Sequence, residues 1–257
     1  MRVAHGPQRR VNPGRCRLPD PHPDYDLREL GGVVAVGLQR LQRPPILGSD
    51  GLSALEVTFR SRFAYYCAMN MPADAYLDNA SYIDHKYPDG REIRDSLITD
   101  IGTELDRSKE RFVTHHRRSG DPVPIWAAVE VLSFGTVSKM YGLLDDRAVR
   151  TGVSKSFGLP NPQFTASVIR SLVVLRNICA HHARLWNRVP DVPTPVLNRY
   201  KTSDPQMYQT ATPWSWFVML AHLVDTIRRD DLYSTELWGH INAQPTLLSG
   251  YKNPRHS

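Results

Sequence analysis

The sequence predicts an all-α fold, a helical bundle with a poorly structured N-terminal segment. Three observations carry that prediction. From Leu52 onward, apolar residues recur at three- and four-residue steps over long stretches, which is the period of a half-buried helix. No stretch alternates apolar and polar residues long enough to build a sheet. Proline and glycine fall between the periodic stretches, where helices end. There is no internal repeat and no coiled-coil heptad pattern, so the helices are expected to pack as a bundle.

Composition bounds the reading further. At 257 residues and 29.2 kDa the chain can bury a sizeable core, as one domain or two. A hydrophobic share of 41% and a charged share of 23% are ordinary for a globular protein. The net charge of +6 leans mildly towards a polyanionic partner such as RNA. Cys16, Cys67 and Cys179 are too few and too scattered for a disulfide framework or a CxxC metal site. They fit a reducing, cytoplasmic compartment. The first residues lead into no apolar segment of a secretion signal. No run of about eighteen apolar residues is present to span a membrane, so no membrane partner is expected. The chain divides into an N-terminal segment over 1–50, a helical domain over 51–235 and a C-terminal tail over 236–257.

Residues 1–50 are rich in Pro, Arg and Gly, from Pro7 to Pro45, with little periodicity. Such a segment buries too little apolar surface to offset its ordering entropy; 26–41 is its one short helical patch. Leu52, Leu55, Phe59, Phe63, Tyr66 and Cys67 then mark a helix that Met71-Pro72 closes. Glu56 and Arg60 sit four apart on another face and read as a surface ion pair of little consequence. Ile93, Leu97, Ile98, Ile101, Leu105 and Phe112 predict one long helix running to a basic end at His115-His116-Arg117-Arg118, which suits the negative helix pole there. Pro124 opens a further helix that reads unbroken to Leu144, with Glu130 inside it. Glu130 is either an exposed side chain or an ion-pair partner for an arginine of the next helix. The segment 158–162 precedes that next helix, which reads as running from Phe164 to Arg188. An extended, proline-marked link follows from Val189. Trp214, Phe217, Val218, Leu220, Ala221, Val224 and Ile227 give a last helix, closed by Arg228-Arg229.

The chemistry concentrates at 175–188. Projected on a helix at about 100° per residue, Leu172, Leu175, Cys179, His182 and Trp186 fall in one apolar stripe. Arg170, Asn177, His181, Arg184 and Arg188 share another face, with Arg176 and Asn187 at its edge. A histidine among arginines and amides suits a phosphodiester. The run LRNICAHHARLWNR resembles the signature of the Abi-like (abortive infection) proteins, which belong to the HEPN superfamily. That superfamily is marked by Arg, four to six residues, then His, usually with a polar residue after the Arg. Arg176, Asn177 and His181 match the four-residue spacing and His182 the five-residue one. The segments LEVTFRSRFAYY and PIWAAVEVLSFGTVSKMYGLL resemble the same family, whereas residues 1–50 depart from its longer helical lead-in.

The resemblance implies a HEPN-like bundle acting in phage defence. It also implies a metal-independent endoribonuclease with Arg176, Asn177, His181 and His182 at the catalytic centre and Arg170, Arg184, Asn187 and Arg188 on the RNA. The residue types fit such chemistry. RNA carries its own nucleophile, the 2′-OH, so the protein need only move protons and stabilise charge. An imidazole exchanges a proton near neutral pH, and an arginine fork neutralises a phosphorane. The wheel singles out His181 for proton transfer and puts His182 in the core as a support. The chain has no phosphate-binding loop, dinucleotide fingerprint, nucleophile elbow or HExxH motif. The adjacent pairs His115-His116 and His181-His182 point to different helix faces. No metal and no cofactor are expected. In HEPN ribonucleases two copies of the motif meet across a dimer, so a homodimer is the expected state, with an antitoxin protein or small RNA as a possible regulator. The alternative is a non-catalytic RNA-binding or protein-interaction module in a phage-defence or toxin–antitoxin system.

Overall fold

The computed structural model describes residues 49–201, 208, 211–243 and 245–254. The readings made for 1–48, including the short helix over 26–41, lie outside them. The described residues form helices and turns with no strand; two isolated bridges, Tyr82 with Leu144 and Lys86 with Glu92, are the only β pairings among them.

The central element is α1, Ser49–Asn70. Leu52, Leu55, Phe59, Phe63 and Cys67 lie along one side of it and are all buried. Phe59 anchors the core, with Phe63, Phe134, Tyr141 and Phe157 ring centroids 5.5 to 6.3 Å away. Aromatic side chains of this size dominate burial energetics. After α1 come α2 (Ile93–Arg107), α3 (Arg111–Ser119), α4 (Ile125–Val131), α5 (Phe134–Leu143), α6 (Arg147–Ser156) and α7 (Pro162–Ala180). After the short α8 (Asn198–Lys201) come α9 (Pro213–Arg228), α10 (Leu232–Asn242) and α11 (Pro245–Lys252). Helices α4, α5, α6, α7 and α9 all pack on α1.

The structure differs from the sequence reading in how it cuts the helices. The long helix expected from Ile93 breaks at Ser108 into α2 and α3. The segment 124–144 is two helices, separated at Leu132-Ser133. Helix α6 lies in the stretch between Leu144 and Gly158 to which no helix was assigned; Asp146 caps it by accepting the Val149 N–H at 2.7 Å. The stretch 236–257, read as a tail, carries the rest of α10 and all of α11. Leu237 and Ile241 are buried and Tyr251 meets Phe217 edge-on at 5.0 Å, so α10 and α11 pack instead of trailing.

Candidate functional site

Helix α7 carries the motif. Asn161 opens it by accepting the Phe164 N–H at 2.8 Å, with Pro162 at the first turn. Val168, Ile169, Leu172 and Leu175 are fully buried and fix its rotation against α1 and α5. The helix ends at Ala180 and does not continue to Arg188. The His182 N–H reaches the Cys179 carbonyl at 3.1 Å and the Ala183 N–H the Ile178 carbonyl at 2.9 Å. This pair of bonds is the Schellman closure, with His182 left-handed at φ 51°.

That closure corrects the helical projection beyond residue 180. His182 does not join the apolar stripe: it is exposed, as are His181, Ala183 and Arg184. Trp186, expected in the same stripe, is 37% exposed. Asn187 takes a second left-handed turn at φ 54°, and Asn187 and Arg188 are half-buried. Arg170 is exposed on α7, roughly 9 Å along the helix axis from Arg176. The structure therefore brings Arg176, Asn177, His181 and His182 to the end of one helix, with Arg184 in the loop that follows. Arg170 stands apart from them, further up the helix.

Arg176 is held by a residue that the sequence reading did not connect to it. Its Nε donates to Glu56 Oε2 of α1 at 3.2 Å and its Nη1 to Asn177 Oδ1 at 3.3 Å. Arg60 donates from Nε to the other Glu56 oxygen at 3.2 Å. Arg60 Nη1 also donates to the Leu132 carbonyl at 2.6 Å and to the Val129 carbonyl, capping the C-terminal end of α4. Glu56 and Arg60 are only 15% and 13% exposed, whereas Arg176 is 43% exposed. The expected surface pair is thus a half-buried anchor whose outer member faces solvent. Glu130, the other carboxylate considered for an arginine of this helix, is exposed. The signal for Glu56 was its spacing to Arg60; its contact 120 residues downstream left no local trace.

Nearby groups narrow the chemistry. Burial pushes the Cys179 thiol up, and that of Cys67 up to about 12, so neither is poised as a thiolate nucleophile. Among the described residues no three His, Cys, Asp or Glu side chains group closely enough to hold a metal ion. A separate cleft of about 480 Å³ lies between α8 and α9, lined by residues including Arg199, Tyr200, His222 and Arg229. There Arg199 Nη2 donates to His222 Nδ1 at 2.8 Å. Burial and that guanidinium hold the imidazole down at about 4.

A family model described as Abi-like protein matches residues 46–187. No curated protein and no solved structure matches. No described helix is long and apolar enough to cross a membrane.

Proposed function

Because the chain belongs to the Abi-like protein family, whose name implies phage defence by abortive infection, we propose that it defends its host by cutting RNA at the end of α7. The proposal is a HEPN-type, metal-independent endoribonuclease. The observation that carries it is the Arg176 guanidinium. It is tied at Nε to Glu56, 43% exposed, and set five and six residues before the exposed His181 and His182.

The ribose 2′-oxygen attacks phosphorus as the P–O5′ bond breaks, leaving a 2′,3′-cyclic phosphate and a 5′-hydroxyl. His181 takes the 2′-OH proton, and His182, exposed by the Schellman turn, returns one to the leaving 5′-oxygen. Arg176 meets the charge that develops on the phosphorane. Glu56 and Asn177 restrict the directions in which the guanidinium can point, so less ordering is needed when RNA arrives. Arg184, Arg188 and Asn187 contact flanking phosphates and sugars, and Arg170 meets the strand further along the helix. A second copy of the chain completes the cleft, and an antitoxin protein or a small RNA holds it in check.

The test is end-mapping of RNA treated with the purified protein, wild type against Arg176→Ala. Arg176→Ala should slow cleavage roughly 10²–10³-fold, the scale for losing one preorganised donor. Cleavage should survive EDTA and stop when the 2′-OH at the cut site is replaced by hydrogen. Strict dependence on added magnesium or manganese, or cutting of the deoxy substrate at the normal rate, would overturn the scheme. RNA binding without cleavage would favour a non-catalytic binding module in the same defence setting.

A further inference from the structure

The loop after α7 is held at both ends, and its second anchor lies far outside the matched span 46–187. The first anchor is the Schellman closure at His182. The second is Gly250 in α11, whose carbonyl accepts the Asn187 N–H at 3.2 Å. Gly250 is buried, and a Cβ there would stand 2.1 Å from Trp186 Nε1 and 2.5 Å from its Cδ1. No side chain fits without moving the indole. Helix α11 is itself fixed on α9: Tyr251 meets Phe217 edge-on, and Lys252 Nζ sits 4.6 Å from the Trp214 ring centroid. Trp214 in turn packs on Trp238 of α10, with centroids 4.8 Å apart.

Between these anchors the loop turns its residues 181–184 to solvent, while Leu185 packs against the core. The left-handed turns at His182 and Asn187 fix where that outward edge begins and ends. A loop pinned only at the helix end would pivot about His182: Arg184 would lose its fixed distance from Arg176, and strain on the closing turn would loosen the direction of the His182 imidazole.

We infer that Gly250 and Trp186 are positioning residues for the RNA-cleaving site: the C-terminal helix clamps the loop that carries His181, His182 and Arg184. This rests on the reading of that loop as part of a ribonuclease site. The glycine supplies the bare backbone on which the indole lies, and its carbonyl fixes Asn187. The clamp acts on the geometry of the reacting groups and touches no RNA.

The experiment uses the full chain and two variants that attack the contact from opposite sides. Gly250→Ala pushes the indole off, and Trp186→Leu removes it. Each is measured for RNA cleavage, split into kcat and KM, and for deuterium uptake over 181–188, with a melting curve to show that the fold is kept. Both variants should lower kcat roughly 10–100-fold, the cost of a misplacement of about 1 Å, raise KM as well because Arg184, Asn187 and Arg188 ride on the same loop, and speed exchange over 181–188. The double variant should be no worse than the worse single one, since both break one contact. If wild type cleaves RNA and the variants cleave equally well, or lose kcat only in proportion to loss of folded protein, the clamp is overturned. Unchanged exchange over 181–188 overturns it as well. If wild type does not cleave RNA at all, the proposed function fails on its own, and the exchange measurement still decides whether α11 clamps the loop.

Discussion

At His182 the backbone adopts φ 51°, a conformation that costs an L-residue with a Cβ about 1–2 kcal/mol and costs glycine nothing sterically. His182→Gly should therefore match or exceed wild-type stability by up to about 1 kcal/mol. His182→Val should lose about 1–3 kcal/mol, because β-branched residues resist that region most. Thermal melts of the two variants check this, and equal stabilities would mean that the turn is not left-handed in solution. If His182 also returns the proton to the 5′-oxygen, His182→Gly should keep the fold and slow cleavage. His222 offers a second test. Its folded-state pKa of about 4 lies below the 6.5 of a free imidazole, so the unfolded chain takes up the proton first as pH falls. The stabilisation is full above pH 6.5 and is lost progressively towards about 4. The cleft admits some solvent, so a discounted loss of roughly 2 kcal/mol follows, worth roughly 5 °C in a chain of this size. His222→Gln should flatten that part of the Tm-against-pH curve; an unchanged slope from pH 7.5 to 4 would assign the dependence to other groups.

The break between α4 and α5 shows how an element is made by distant side chains. Arg60 caps the carbonyl end of α4, and Glu104 caps the amide end of α5 by accepting from Ser133 N at 2.6 Å and Thr136 Oγ1 at 2.7 Å. Ser133 adds its own cap on the Thr136 N–H at 3.1 Å. Glu104→Ala should cost about 1–3 kcal/mol by leaving these donors unmet, while Glu130→Ala, on an exposed carboxylate, should change stability by less than about 0.5 kcal/mol. Urea titrations of both variants measure the difference, and near-equal losses would refute the capping role. The sequence carried half of this. Ser133 is a residue type that caps helices, but apolar periodicity runs through it without a slip, so the stretch reads as one helix. Glu104 and Arg60, which make the break stable, stand 29 and 72 residues from their partners, and no local pattern encodes such pairings. Likewise, the histidines of the motif were legible as a pair, but their exposure was not, because a helical wheel presumes that the helix continues past residue 180.

Across the whole molecule, the apolar stripe of α1 and the span of α9 were legible, since burial on one face imposes a period that survives in the sequence. Helices α6 and α11 were not: the one is short and polar on its outer face, the other is too brief to show a period. Their roles come from what they touch. The same reasoning governs how much of the chain is needed to fold. The family match covers 46–187, yet α9 lies outside it and packs on α1 and α7. Trp216, Met219, Leu220, Leu223 and Val224 of α9 are fully buried, and each contributes about 2 kcal/mol by area. Their sum, about 10 kcal/mol, is as large as the net stability of an entire domain. Removing α9 also uncovers the side of α1 on which it packs. A fragment limited to 46–187 should therefore fail to melt cooperatively and should bind hydrophobic dye, whereas a chain of residues 46–257 should keep a sharp transition. Circular dichroism melts of the two chains, run side by side, check this. A cooperative transition in the shorter fragment would show that α9 is an addition to an independently stable motif domain, and the clamp by α11 would then act on a site already folded without it.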